Sequence, residues 1–133
     1  MSQENVEVSR SFYEAFLGGD PSSAKPFVDA DFEFVPARAT HIFFPAPSHG
    51  LEEFNKRLTE ITSQFESYEA HPEEFIEAGD DTVVALLHRI TVSHGVRVED
   101  RIAQLIRLRG GRISRIVSFA NLEEALEAAG LRE

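Results

Sequence analysis

Apolar residues recur at helical spacing in the first half of the chain and in alternation through most of the second. Val8, Phe12, Ala15 and Phe16 fall on one stripe of a helix predicted over about residues 4–17, with Val6 and Tyr13 flanking it. Gly18-Gly19 ends that helix, because glycine accepts the left-handed conformation of a C-terminal cap. Asp20-Pro21 opens a second, short helix, with Asp20 as N-cap and Ala24, Phe27 and Val28 as its apolar side. Residues 31–36 read as a short strand terminated by Pro36. A third helix follows Gly50, over about residues 51–65, with Phe54, Leu58, Ile61 and Phe65 on one face.

The second half predicts strands over 68–78, 82–93, 96–109 and 112–120. Turns are marked by Gly79-Asp80-Asp81, His94-Gly95 and Gly110-Gly111, and a terminal helix spans about 122–129. Helices first and antiparallel strands afterwards define an α+β class, with the helices packed on one face of the sheet. Residues 37–50 hold Pro45, Pro47, His41, His49 and the run Ile42-Phe43-Phe44, and read as a long loop serving as lid or pocket wall. Over 82–93 both alternating sets are apolar: Val84, Leu86, Ile90 and Val92 on one face, Val83, Ala85 and Leu87 on the other. A sheet with one wet face alternates more cleanly, so a partner subunit is expected to cover part of the second face in a homodimer.

Composition narrows the class. At 133 residues, 42% hydrophobic and 27% charged, the chain is expected to form a single domain over 1–133 with one core. The absence of cysteine excludes disulfides, thiolate zinc sites and cysteine nucleophiles. A net charge of −10 argues against nucleic acid and anionic membranes as partners. Acidic residues crowd 52–81, whereas Arg97, Arg101, Arg107, Arg109, Arg112 and Arg115 follow later and read either as a local anion site or, in preference, as a solvated sheet face. The polar, acidic start lacks a signal-peptide pattern, and no apolar run approaches the roughly 20 residues of a membrane helix. A soluble cytoplasmic protein is expected.

His88 is the foremost chemical candidate. Alternation groups it with Val84, Leu86, Ile90 and Val92, and an imidazole among apolar groups serves either as a general base or as a hydrogen-bonded core residue. Arg89 is then expected on the outer or interface side. Asp100 alternates with Val98, Ile102, Gln104 and Ile106, so it points inward with a raised pKa unless a bulge turns Glu99 in instead. Asn121 either polarises a carbonyl or caps the helix beginning at Leu122. Phe12, Phe16, Phe34, Phe54, Gln104 and Phe119 are the candidate lining of an apolar cavity. His41 and His49 lack a recognised metal-ligand spacing, and no phosphate loop, nucleophile elbow or dinucleotide fingerprint is present. No metal or cofactor is expected.

The run Tyr13-Glu14-Ala15-Phe16-Leu17-Gly18-Gly19-Asp20 resembles the opening of SnoaL-like proteins. So do Asp31-Phe32-Glu33-Phe34-Val35-Pro36, Gly50-Leu51-Glu52-Glu53-Phe54 and the stretches 77–84 and 123–131. The resemblance implies the nuclear transport factor 2-like fold, a cone of curved antiparallel sheet with helices packed on its concave face, commonly dimeric and holding a pocket. Such proteins include polyketide cyclases, ketosteroid isomerases, limonene epoxide hydrolases, dehydratases and members with no known activity. Relatives often carry tryptophan near Phe34 and aspartate where Asn121 stands, and Asn121 can only donate or accept hydrogen bonds. Two functional expectations follow. One is a cofactor-independent cyclase, isomerase or hydrolase acting on a hydrophobic carbonyl or epoxide compound through His88, Asp100 and Asn121. The other is a non-catalytic binding or accessory domain for an apolar small molecule.

Overall fold

The computed structural model describes residues 2–37 and 47–130. Helix α1 (Ser2–Leu17) leads into a 3-10 helix (Pro21–Phe27) and strand β1 (Val28–Val35). Strand β2 (Ser48–His49), helix α2 (Leu51–Thr62) and strands β3 (Ser67–Glu77), β4 (Thr82–Ser93), β5 (Val96–Arg109) and β6 (Arg112–Phe119) follow, and helix α3 (Leu122–Ala128) comes last. The strands make one open six-stranded sheet in the order β2-β1-β6-β5-β4-β3, not closed into a barrel. Its pairings are antiparallel except that β1 runs parallel to β6.

Turn chemistry sets the register. His94 and Gly95 have φ of 52° and 77°, the two positive values a tight hairpin requires, and they bring Ser93 opposite Val96. From there β4 and β5 pair without interruption, so Arg89 faces Asp100 and His88 faces Arg101. The edge strand β3 has a register shift between Pro72 and Glu74. Gly18 admits no side chain, since a Cβ there would sit 2.5 Å from the Glu14 carbonyl oxygen. Asp20 accepts a hydrogen bond from the Ser22 amide at 3.2 Å, and Pro21 takes a first-turn position.

The buried stripe of α1 is Ser9, Phe12, Tyr13 and Phe16, rotated from the expected one, with Val8 and Ala15 only half-buried. Ser9 is tolerated on it because its hydroxyl donates to the Asn5 carbonyl at 2.8 Å. Phenylalanine rings join the helices to the sheet. Phe16 stacks on Phe12 at 5.5 Å and on Phe54 at 5.2 Å, and Phe54 stacks on Phe34 at 4.3 Å.

The sheet carries a core on each face. The larger holds Val83, Ala85, Leu87, Ile106 and Ile116 under α1 and α2. The smaller holds Val84, Ala103 and Leu105 under Ala125 of α3. Helices therefore lie on both faces, and α3 supplies part of the cover expected from a partner subunit. Ile90 and Val92, further along that face, fall outside the α3 cluster. Of the loop expected over 37–50, Ser48 and His49 pair with β1 as a short strand, whereas His41 and Ile42-Phe43-Phe44 lie outside the described residues.

Each ring contact adds roughly 0.5–1.5 kcal/mol beyond area burial. Phe54→Ala is expected to lower unfolding stability by about 3–5 kcal/mol, measured by urea denaturation with an unchanged m-value.

Candidate functional site

Between α1, α2 and the inner face of the sheet lies a cavity of about 80 Å³. Its walls are mostly apolar: Phe12, Phe16, Phe34 and Phe54 on one side, Leu87 and Ile102 on the other. It adjoins an outer basin of about 530 Å³, with Tyr13, Phe16, Leu17, Leu58, Tyr68 and Ala70 lining both. The inner space holds a few waters or one small ring; a larger molecule would extend into the basin.

Three polar side chains enter the cavity from neighbouring positions. Gln104 faces Ser118 across the β5–β6 ladder, and both are buried. The Tyr13 hydroxyl reaches over from α1 and donates to Gln104 Oε1 at 2.5 Å. Burial pushes the Tyr13 phenol well above its ordinary range, so it remains a neutral donor. Among the described residues, neither the Gln104 amide nitrogen nor the Ser118 hydroxyl has a hydrogen-bond partner, although both side chains line the cavity. One donor and one donor-acceptor are thus available to an occupant.

Nearer the tip of the β4–β5 hairpin, Arg89 also lines the cavity. Its Nε and Nη2 donate to the two carboxylate oxygens of Asp100 at 3.0 and 2.6 Å, a bidentate pair. The hydrogen bond to Asp100 raises the guanidinium pKa above its ordinary value, and Tyr68 adds to the effect. The Arg89 side chain is 20% exposed and that of Asp100 is 44% exposed, so the cation is the more deeply held partner.

The sequence candidates separate in space. Phe12, Phe16, Phe34, Phe54 and Gln104 line the cavity. His88 does not. It shares a strand face with Val84 and Leu86, as alternation predicts, but that face is the one α3 partly covers. There His88 Nε2 lies 2.9 Å from Glu99 Oε1, while Arg97 contacts the other Glu99 oxygen at 3.2 Å. Arg101 on the same face holds the Glu73 carboxyl below the usual carboxylate range through a hydrogen bond of 2.7 Å. Asp100 lies on the cavity side and Glu99 on the other, because no bulge interrupts β4–β5. Arg89 turns away from His88, but to the inner side rather than the outer.

Asn121 caps α3, accepting from the Glu124 amide at 2.9 Å, and is not part of the cavity wall. Phe119 packs with the α3 cluster; its neighbour Ser118 is the residue that faces in. His88, Asp100 and Asn121 therefore do not converge on one point. His49 is exposed, 3.9 Å from Glu33 Oε2. Among the described residues no group of three or more His, Cys, Asp or Glu is placed to hold a metal ion. No described helix is long and apolar enough to cross a membrane.

Sequence reasoning did not single out Tyr13 or Ser118 as site residues, and it set Arg89 on the outer or interface side. Tyr13 carried a signal, a polar ring beside the apolar stripe of α1. Arg89 and Ser118 carried one only once the inner face of each strand is known.

An open sheet with helices over an apolar cavity defines the class of small α+β pocket proteins. A family model for the SnoaL-like domain matches residues 9–116, and the chain belongs to that family. The fold is shared with TerC, solved co-crystallised with polyporic acid, at 19% identity over 96% of this chain and 98% of that one, with a TM-score of 0.77. A putative SnoaL-like polyketide cyclase from Jannaschia sp. CCS1 matches at 15% identity over 98% and 94%, with a TM-score of 0.72. A protein from Catenulispora acidiphila with a ketosteroid isomerase-like fold, in complex with trimethylamine, matches at 19% identity over 94% and 93%, with a TM-score of 0.68. At these identities the likeness is one of fold. No curated protein gives a significant sequence match.

The unfolded chain ionises Tyr13 near its ordinary value of 10.0, whereas the folded chain keeps the proton. The unfolded state then binds fewer protons than the native state, so stability is intact below that value and falls as pH rises above it. The loss is at most about 1.4 kcal/mol per pH unit. Tyr13→Phe is expected to remove this alkaline loss, measured by urea denaturation at stepped pH.

Proposed function

We propose that this protein binds a planar, apolar compound bearing a carbonyl or hydroxyl oxygen, with one ring in the inner cavity and the remainder in the basin. The observation carrying this reading is the unpaired Gln104 amide and Ser118 hydroxyl in an otherwise phenylalanine-lined space. Both groups open onto the cavity, where a ligand oxygen or an ordered water pairs with them. The stacked rings select flat molecules, and the two polar groups fix their orientation. Membership of the SnoaL-like family and the co-crystallisation of a protein of the same fold with polyporic acid support the same class of occupant.

A second reading adds chemistry at the same site. Asp100 is a carboxylate on the cavity face of β5, and its partner Arg89 lines the wall. Asp100 would take a proton from a carbon beside the bound carbonyl, and Gln104 with Ser118 would hold the resulting enolate oxygen. Isomerisation or ring closure of a polyketide-like compound would follow without a cofactor. His88 and Asn121 have no part in this scheme, because His88 lies on the opposite face of the sheet and Asn121 caps α3.

With 2-acetylnaphthalene as probe, saturation at 100 times the Kd is expected to stabilise the wild type by about 2.7 kcal/mol, read as a rise in Tm. Ala70→Leu, which fills the passage between cavity and basin, is expected to abolish that rise; a full rise in the variant contradicts this placement. For the second reading, Asp100→Asn is expected to lower turnover of an enolisable ketone by at least about 100-fold with little change in KM. Unchanged turnover removes Asp100 from the chemistry and leaves the binding reading standing.

A further inference from the structure

Arg89 is the only charged residue among the described ones that line the inner cavity. It sits on β4, between β3 and β5, with its guanidinium largely withdrawn from water. Asp100 neutralises it from the side, on the more exposed strand, and does not itself line the cavity. The two members of the pair are therefore unequal. Moving Asp100 into water costs little, since its carboxylate is already 44% exposed, whereas the guanidinium cannot leave without disturbing the cavity wall.

We infer that Arg89 is an anion-recognition point, and that the cavity takes apolar acids whose carboxylate or enolate replaces Asp100 on the guanidinium fork. The inference rests on the small-molecule reading of the cavity and names the class of compound within it. Three features support it. A carboxylate matches the planar donor geometry of arginine, and does so better in the drier environment beside Leu87 and Ile102 than at the surface. Asp100 occupies that place in the empty site as an internal stand-in for such a group. A cationic ligand would instead have to reach Asp100 from outside the cavity, losing the aromatic walls. Glu14 and Glu69 stand on the outer basin and oppose an approaching anion, but both are exposed and screened by solvent and salt.

The test compares 2-naphthoate with the neutral 2-acetylnaphthalene, by calorimetric titration at pH 7 and by amide shifts in two-dimensional NMR. Wild-type protein is expected to bind 2-naphthoate at least about tenfold more tightly than the ketone. Arg89→Gln is expected to remove that preference while retaining ketone binding, and Arg89→Lys to keep part of it. Asp100→Asn removes the internal competitor and is expected to tighten 2-naphthoate severalfold. This second variant keeps the test decisive if Arg89→Gln does not fold. Equal affinities in the wild type, or weaker 2-naphthoate binding in Asp100→Asn, overturn the inference and leave the cavity reading intact. Binding of neither compound overturns both.

Discussion

Phe54 lies against Phe16 of the first helix on one side and Phe34 of the first strand on the other, and the remaining architecture hangs on that contact. It ties α2 at once to α1 and to β1, the strand next to the sheet's β2 edge. Flat rings stacked nearly parallel form a wall rather than a plug. They cover the sheet without filling the space above it, so that space persists beneath the helices. A leucine or isoleucine core would interdigitate and close it.

The polar groups in that space are disposed at two depths. Tyr13, Gln104 and Ser118 lie where the sheet is covered by α1 and remain neutral, the phenol because burial disfavours its anion. Arg89 and Asp100 lie nearer the hairpin tip, where one of the two still reaches water. Neutral hydrogen-bonding groups are placed where desolvation is most costly for charge, and the ion pair where solvent eases it.

Much of the fold was legible in the residues. The strands Thr82–Ser93 and Val96–Arg109 follow the alternation to the residue, because His94-Gly95 and Gly110-Gly111 punctuate them. What alternation cannot say is which face turns inward. In β4 both faces are apolar, one under α1 and α2 and the other under α3, so the pattern around His88 and that around Leu87 look alike. Grouping His88 with Val84 and Leu86 was sound, but placing that group in the pocket was not a deduction the residues allowed. The same ambiguity favoured Phe119 over Ser118, since a large ring suits either core. Asp100 was placed on the cavity side because Ile102, Gln104 and Ile106 alternate with it and the pairing with β4 has no bulge. Arg89 was set on the outer or interface side because an arginine in an apolar strand reads as surface until its carboxylate partner is known.

The bulge near Pro72 has a bearing on more than local geometry. β3 is an outer strand of the sheet, and its far side offers backbone groups to any extended segment that drifts alongside. Pro72 lacks the amide proton such a segment would need, the register shift beside it breaks the straight run of donors and acceptors, and Glu69, Glu73 and Glu74 set like charges along it. A second β3 brought alongside would meet its own mismatch and its own charge. The sheet is thereby blunted at its β3 edge, and a concentrated solution of this protein is guarded against fibrous association through that edge.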